Sequence, residues 1–330
     1  MKLLLVTDAW KPQVNGVVRS YINTIPELEK MGMEVQVIHP ELFKLRFSLP
    51  SYNEIKIVVT RQKTLKNMIK SANADHIHIA TEGPLGYLAR NICLKDDITF
   101  TTSFHTRFPE YIQKRTKIPA SFFYFFIRKF HNKAKKVLVP TPSMQEELIK
   151  RKFKNTEIWS RGVNHEKFSK FNKLNLGKGP IFSYIGRVAT EKNVEAFLKI
   201  KLDGTKVVVG DGPQLNSLKK KYPDVNYVGY QHGQDLVDYY ASSDVMVFPS
   251  LTDTFGNVIT EANATGTPVA AFNVIGPKDI IVNGINGYIG DDLKSNIINC
   301  INLDRTKCQE YTKKFNWKEC SRVFYDNIVA

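Results

Sequence analysis

Short β-branched or leucine-rich runs alternate with amphipathic helical stretches along nearly all of this chain, and the alternation happens in two separate series. That pattern restricts the fold more than any other feature. Strands separated by helices of ten to fifteen residues cannot pair as hairpins, and they form wound parallel sheets instead. In the first series the runs Lys2–Thr7, Glu34–His39, Asp75–Ile79, Ile98–Thr102 and Lys136–Pro140 read as strands. Gly16–Lys30, Pro84–Cys93 and Ser143–Lys152 read as helices between them. The periodicity lapses over Asn164–Gly179, which is rich in Lys, Asn and Gly, and restarts at Ile181-Phe182-Ser183-Tyr184-Ile185. It continues through Lys206–Val209, Asn226–Val228, Val245–Phe248 and Pro268–Phe272. The expectation is an α/β protein with a domain over 1–163, a linker over 164–179, a second domain over 180–310 and a C-terminal helix over 311–330 that crosses back to the first domain. Two such domains would face each other across a central cleft lined by the carboxyl ends of their strands, where open α/β sheets bind ligands.

A length of 330 residues suffices for two cores, and a composition that is 42% hydrophobic and 24% charged excludes a disordered chain. The four cysteines, Cys93, Cys300, Cys308 and Cys320, show no pairing spacing and read as reduced thiols. Leu3-Leu4-Leu5-Val6 is too short for a signal peptide, and the aromatic run Ile118–Ile127 is broken by Pro119 and closed by Arg128-Lys129. No membrane-spanning segment is expected. Of the net charge of +15, +12 lies within residues 1–160. The first half therefore suits an anionic partner, unless the lysines merely solvate the surface.

One phrase stands out in the second series: Asp253-Thr254-Phe255-Gly256-Asn257-Val258-Ile259-Thr260-Glu261, followed by Gly266-Thr267-Pro268-Val269. It follows the strand Val245–Phe248 and opens a helix near Asn257. Free N–H groups at a helix start suit a diphosphate, and Gly256 allows close approach. Glu261 lies about one turn on, where it could reach a ribose. Asp253 precedes the helix, beside whatever the phosphate carries. A carboxylate pair at this spacing has little specificity by itself.

The whole phrase resembles the signature of the retaining glycosyltransferases of family 4, which have the GT-B fold of two Rossmann-like domains. Three more segments fit the resemblance: Thr7-Asp8 through Asn15-Gly16-Val17-Val18, Ile185-Gly186-Arg187 with Glu191-Lys192-Asn193, and Val209-Gly210-Asp211-Gly212-Pro213. Read as residues alone, Gly16 is a strand-to-helix turn or an anion contact, and Arg187 and Lys192 are surface charges or a diphosphate clamp. The resemblance implies the second reading of each. It makes Gly16, Arg187, Lys192, Phe255, Gly256, Asn257, Val258 and Glu261 the donor site, with Asp253 on the sugar hydroxyls. It also gives His105, in Ser103-Phe104-His105-Thr106, a place beside the transferred sugar, where it would stabilise developing charge.

Asp8, Asn15 and Glu82 are acceptor-side candidates, with helix capping as the competing role for the acids. The resemblance implies that the acceptor hydroxyl attacks from the leaving-group face, so that configuration is retained. The chain has no Asp-x-Asp triplet, so no metal and no other cofactor is expected, and Arg187 and Lys192 would do a metal's work. Asp253 is a departure, because the family's first acid is commonly glutamate.

Residues 107–154 hold thirteen Lys or Arg against Glu110, Glu146 and Glu147, interleaved with Phe122-Phe123-Tyr124-Phe125-Phe126. Such a segment can lay aromatics into a bilayer while its cations face anionic headgroups. The alternative is that the aromatics pack inward. The phrases Thr81-Glu82-Gly83-Pro84-Leu85-Gly86 and Pro12-Gln13-Val14-Asn15-Gly16-Val17 look most like the mannosyl, glucosyl and sulfoquinovosyl lipid transferases. The expected partners are a nucleotide sugar, a lipid or glycan acceptor and an anionic membrane, with the protein peripheral on the cytoplasmic face. Two other readings are a nucleotide-sugar epimerase of the same fold and a basic nucleic-acid-binding protein. The second finds no recognised module, and nucleic acid is not an expected partner.

Overall fold

The computed structural model describes residues 1–13, 15–49 and 52–329. The chain divides into two units, Met1–Arg161 with Trp317–Ala330, and Gly162–Asn316. The first unit contains β1 (Lys2–Val6), β2 (Glu34–Ile38), β3 (Arg46–Leu49), β4 (Tyr52–Val58), β5 (His76–Ile79), β6 (Thr101–Ser103), β7 (Val137–Val139) and β8 (Thr156–Ile158). Its main sheet has the order β2-β1-β5-β6-β7-β8, parallel throughout. β3 and β4 form a separate antiparallel hairpin.

Helices cover both faces of a parallel sheet, so its inner strands are apolar without alternation. Leu3, Leu4, Leu5 and Val6 are accordingly all buried. The chain leaves β1 toward β2 on one side and returns to β5 on the other. The loops after β1 and β5 therefore diverge, and the sheet order reverses between them. The helix Trp317–Val329 belongs to this unit and packs on the helix Gly16–Lys30, where Phe324 and Ile328 join Tyr21, Leu28 and Trp159 in one core cluster.

The second unit contains β9 (Ile181–Ile185), β10 (Thr205–Val209), β11 (Asn226–Gly229), β12 (Val245–Phe248), β13 (Val269–Ala271) and β14 (Gly287–Ile289). Their order is β11-β10-β9-β12-β13-β14, again wholly parallel, with the reversal between β9 and β12. Alternate residues of these strands feed two apolar clusters. Ile181, Ile185, Met246 and Phe248 face one, and Phe182, Tyr184, Val245 and Val247 face the other.

Several boundaries differ from the sequence reading. β6 begins at Thr101 and not at Ile98, because the Ile98 N–H still donates to Cys93 at the end of the preceding helix and Asp97 adopts a left-handed conformation. The stretch read as a linker carries the short helix His165–Ser169 and binds along the second unit. Phe168 enters the core there, and the Asn172 and Leu174 amides donate to Asp238 and Ser242.

Candidate functional site

In the second unit the loops that follow β9 and β12 leave the sheet where its order reverses, and side chains join them. Asn193 donates to the Pro249 carbonyl at 3.0 Å, and Lys192 Nζ stands 2.5 Å from Asp253 Oδ1. The ion pair is largely sheltered, with both side chains less than a quarter exposed. The other carboxylate oxygen, Asp253 Oδ2, is buried and has no hydrogen-bond partner among the described residues. An unsatisfied buried carboxylate oxygen is costly unless a donor reaches it. Arg187 follows β9 at the same reversal, and its carbonyl accepts from the Tyr184 hydroxyl at 2.6 Å.

The helix Asn257–Ala264 begins directly after this cluster. Its preceding residue, Gly256, has φ of 105°, a left-handed conformation open to glycine, and provides no side chain to cap the helix. The first-turn N–H groups at Asn257 and Val258 are thus the helix's positive end, and they follow in sequence shortly after Asp253, which Lys192 holds. Phe255 turns the other way: its ring is buried in the core, edge-on to Phe315. Val258 leans on the same core. One turn into the helix, Glu261 Oε2 accepts from the Tyr240 hydroxyl at 2.8 Å. Tyr240 is fully buried on the helix Gly233–Ser242, and its bond fixes where the Glu261 carboxylate sits.

In the first unit, Asp8 and Glu82 lie just past β1 and β5, at that sheet's own reversal. Their carboxylates are committed within the unit. Asp8 Oδ1 accepts from the Leu85 amide at 2.8 Å, and Oδ2 accepts from the Gly86 amide at 3.1 Å and the Thr81 hydroxyl at 2.8 Å. Asp8 therefore caps the helix Pro84–Lys95, which has no cap of its own. Burial holds its carboxyl above the ordinary carboxylate range, against the pull of those N–H groups. Glu82 Oε1 stands 2.9 Å from Nε2 of the fully buried His131, whose Nδ1 lies 2.8 Å from the Thr102 hydroxyl. Asn15 caps the helix Gly16–Lys30 by accepting from the Val18 amide at 3.0 Å, which puts Gly16 at its first position. His105 follows β6, with Tyr21 Oη 3.0 Å from Nε2 and Arg161 Nη2 3.0 Å from Nδ1. Burial, then Arg161, His78 and His131, hold its imidazole well below the usual histidine range.

The structure thus brings Lys192, Asp253, Gly256, Asn257 and Glu261 to one end of the second unit, and Asp8, Gly16, Glu82 and His105 to the strand ends of the first. Tyr240, Tyr21, His131 and Arg161 support these residues and carry no sequence signal, because only tertiary packing puts them next to their partners. Among the described residues no group of three His, Cys, Asp or Glu side chains is placed to hold a metal ion. No described helix is long and apolar enough to cross a membrane.

Two wound parallel sheets with these loops at their reversals define the class, a two-domain α/β protein of GT-B architecture. The profile described as Glycosyltransferase Family 4 matches residues 14–167, and that described as Glycosyl transferases group 1 matches residues 179–302. The chain belongs to this glycosyltransferase family. It is 28% identical over 319 residues to a GDP-mannose-dependent alpha-mannosyltransferase of Corynebacterium glutamicum, covering 88% of this chain and 77% of the relative. It is 27% identical to the sulfoquinovosyl transferase SQD2 of Arabidopsis thaliana, covering 92% and 68%. With the alpha-monoglucosyldiacylglycerol synthase of Acholeplasma laidlawii it shares 26% identity, covering 82% and 79%. Among solved structures, Anabaena HepE in complex with UDP-glucose superposes with a TM-score of 0.75 at 16% identity, over 100% of this chain and 99% of that one. The protein is a glycosyltransferase.

Proposed function

We propose that the protein is a retaining, metal-independent hexosyltransferase that moves a sugar from a nucleotide-diphosphate donor, GDP-mannose or a UDP-hexose, to a lipid or glycan hydroxyl. The observation that carries this reading is the cluster at the reversal of the second sheet. A lysine and an uncapped helix start, both positive, flank a carboxylate with one unsatisfied buried oxygen. A sugar diphosphate supplies the complement, since its phosphates accept from donors and its hydroxyls donate to a carboxylate.

In this reading Arg187, Lys192 and the N–H groups of Asn257 and Val258 hold the diphosphate, with Gly16 a further N–H contact. Glu261, held by Tyr240, binds the ribose. Lys192 leaves Asp253 for phosphate, and Asp253 takes sugar hydroxyls on both oxygens. His105 stabilises charge on the sugar. The acceptor hydroxyl attacks from the leaving-group face and passes its proton to the departing phosphate oxygen, so configuration is kept. Asp8, Asn15 and Glu82 shape the acceptor side through the helix starts and the histidine they hold. A lipid acceptor is supported by the similarity to an alpha-monoglucosyldiacylglycerol synthase, and a peripheral place on the cytoplasmic membrane face is inferred together with it from the exposed phenylalanines of the helix Ala120–His131.

Thermal shift against UDP-, GDP- and ADP-sugars tests the reading, because a ligand of the native state raises its stability by mass action. A shift with one donor class, lost in Glu261→Ala, is expected. No shift with any nucleotide sugar, and no sugar transfer to a lipid extract, would remove the proposal.

A further inference from the structure

Around His105 the first unit assembles groups that this reaction scheme leaves unexplained. Tyr21 comes from the helix Gly16–Lys30, His78 from β5, Ser103 from the end of β6 and Arg161 from the loop after β8. Arg161 is only 4% exposed. Its Nη1 donates to the carbonyls of Trp159 at 2.6 Å and Ser160 at 2.9 Å, and its guanidinium lies 4.2 Å over the Trp159 ring. Its hydrogen-bond partners among the described residues are these carbonyls and the His105 ring, none of them a carboxylate, which is unusual for a cation so deeply placed.

A guanidinium has donors and no acceptor. His105 Nδ1, 3.0 Å from Arg161 Nη2, therefore presents its lone pair, and the single ring proton resides on Nε2. That N–H points at Tyr21 Oη, 3.0 Å away. Tyr21 accepts it and keeps its own proton for Ser103 at 3.2 Å or His78 at 2.9 Å. His78 closes the chain against the Thr101 hydroxyl at 2.8 Å. Protonating His105 would place a proton on Nδ1, directly against Arg161.

We infer that Arg161 and Tyr21 are positioning residues that lock His105 as a neutral imidazole with its proton on Nε2, so that Arg161 carries the fixed positive charge of this region. This rests on the reading of His105 as the sugar-side residue of a glycosyl transfer. A cation donating to Nδ1 draws electron density from the ring and strengthens the Nε2–H bond to Tyr21, so that the ring is fixed in both orientation and charge. Tyr21, His78, His131 and Arg161 all act on His105, and Arg161 is the cation that stands directly against Nδ1. Glu82 acts on Tyr21, and the Cys320 thiol faces Arg161. His105 accordingly holds one state through the neutral range, where a free histidine switches.

Nitrogen–proton correlation spectra of the full-length protein labelled with 15N-histidine test this, with His105 assigned by the signal missing from His105→Gln. The wild type is expected to show His105 as the neutral Nε2–H form from about pH 8 to about pH 5. In Arg161→Met the ring should take up a proton in the ordinary histidine range. The kcat for sugar transfer should then fall roughly ten- to hundredfold and gain a new acid-side limb, with the donor KM little changed. Arg161→Lys restores a cationic donor and should recover the wild-type profile. Should the methionine variant not fold, Tyr21→Phe is expected to keep the tautomer and lower kcat, because Arg161 still faces Nδ1 while the Nε2–H loses its acceptor. An imidazolium or an Nδ1–H form in the wild type, or unchanged titration and kcat in Arg161→Met, would overturn the assignment. A wild type with the inferred tautomer and no transfer from any nucleotide sugar would support this assignment and count against the functional reading.

Discussion

Lys192 and Asp253 answer to each other before any substrate arrives. Removing the lysine leaves a sheltered carboxylate without its cation, and removing the carboxylate's charge relieves that defect. Lys192→Ala is therefore expected to destabilise the protein by roughly 1–3 kcal/mol, and adding Asp253→Asn should return part of the loss. Urea unfolding of the single and double variants reads the coupling, and strict additivity would show that the 2.5 Å contact carries no energy. Tyr240 is the second case. Its hydroxyl holds Glu261 Oε2 at 2.8 Å, so Tyr240→Phe should weaken nucleotide binding severalfold while leaving inorganic pyrophosphate binding unchanged. Equal loss for both ligands in calorimetry would place Tyr240 elsewhere in the energetics. The carboxylates of the second unit were legible in the sequence because their motif is local, spanning nine residues from Asp253 to Glu261, and Arg187 and Lys192 because they share a second local phrase after β9. Tyr240, Tyr21 and Arg161 were not, since each meets its partner across at least twenty-one positions of chain.

At the scale of elements, the helix Pro84–Lys95 depends on a residue far away in sequence. Asp8 caps it, and Gly83 makes the room: a Cβ there would lie 2.4 Å from the Asp8 carboxyl carbon. Gly83→Ala should displace the carboxylate and cost roughly 1–3 kcal/mol, measured as a lower melting temperature. In an Asp8→Ala background the same change should cost much less, and an equal cost in both would refute the steric argument. The helix Ala120–His131 divides its aromatics. Tyr124 and Phe130 are buried, while Phe122, Phe125 and Phe126 are 56%, 54% and 47% exposed. Replacing those three with Ser should reduce sedimentation with anionic vesicles at low salt, and undiminished binding would sink the membrane-facing role of this helix. The buried inner strands were readable because parallel sheets demand continuous apolar runs, as in β1 and β12. β8 and β14 were missed because these edge strands, Thr156–Ile158 and Gly287–Ile289, are partly exposed and lack the continuous apolar run of the buried inner strands. The β3–β4 hairpin escaped because it interrupts the strand–helix rhythm by which everything else was found.

For the whole molecule, the buried histidines predict how stability responds to acid. His78 is fully buried, and burial, then His131, push its imidazole from the usual 6.5 down to about 3. His105 is held well below 6.5 as well. Below about pH 6.5 the unfolded chain binds protons at both positions and the folded chain does not, so the native state loses stability as pH falls. The loss per histidine is about 1.4 kcal/mol for each pH unit, continuing until the folded value is reached. Asp8 works in the opposite sense, because its folded carboxyl, raised above 3.8, takes up a proton before the unfolded one does. Two imidazoles against one carboxyl leave a net fall through the mildly acid range. General charge repulsion in a chain with fifteen excess cations adds to the same fall, so the slope alone does not isolate the histidines. His78→Asn does, since it removes one titrating site without changing the charge of the folded protein at neutral pH. Urea unfolding at a series of pH values should give a slope for His78→Asn that is shallower by about 1.4 kcal/mol per pH unit just below the histidine range. Parallel curves for the variant and the wild type would mean that His78 binds its proton equally in both states, contrary to its burial against Tyr21, Thr101 and Ser103.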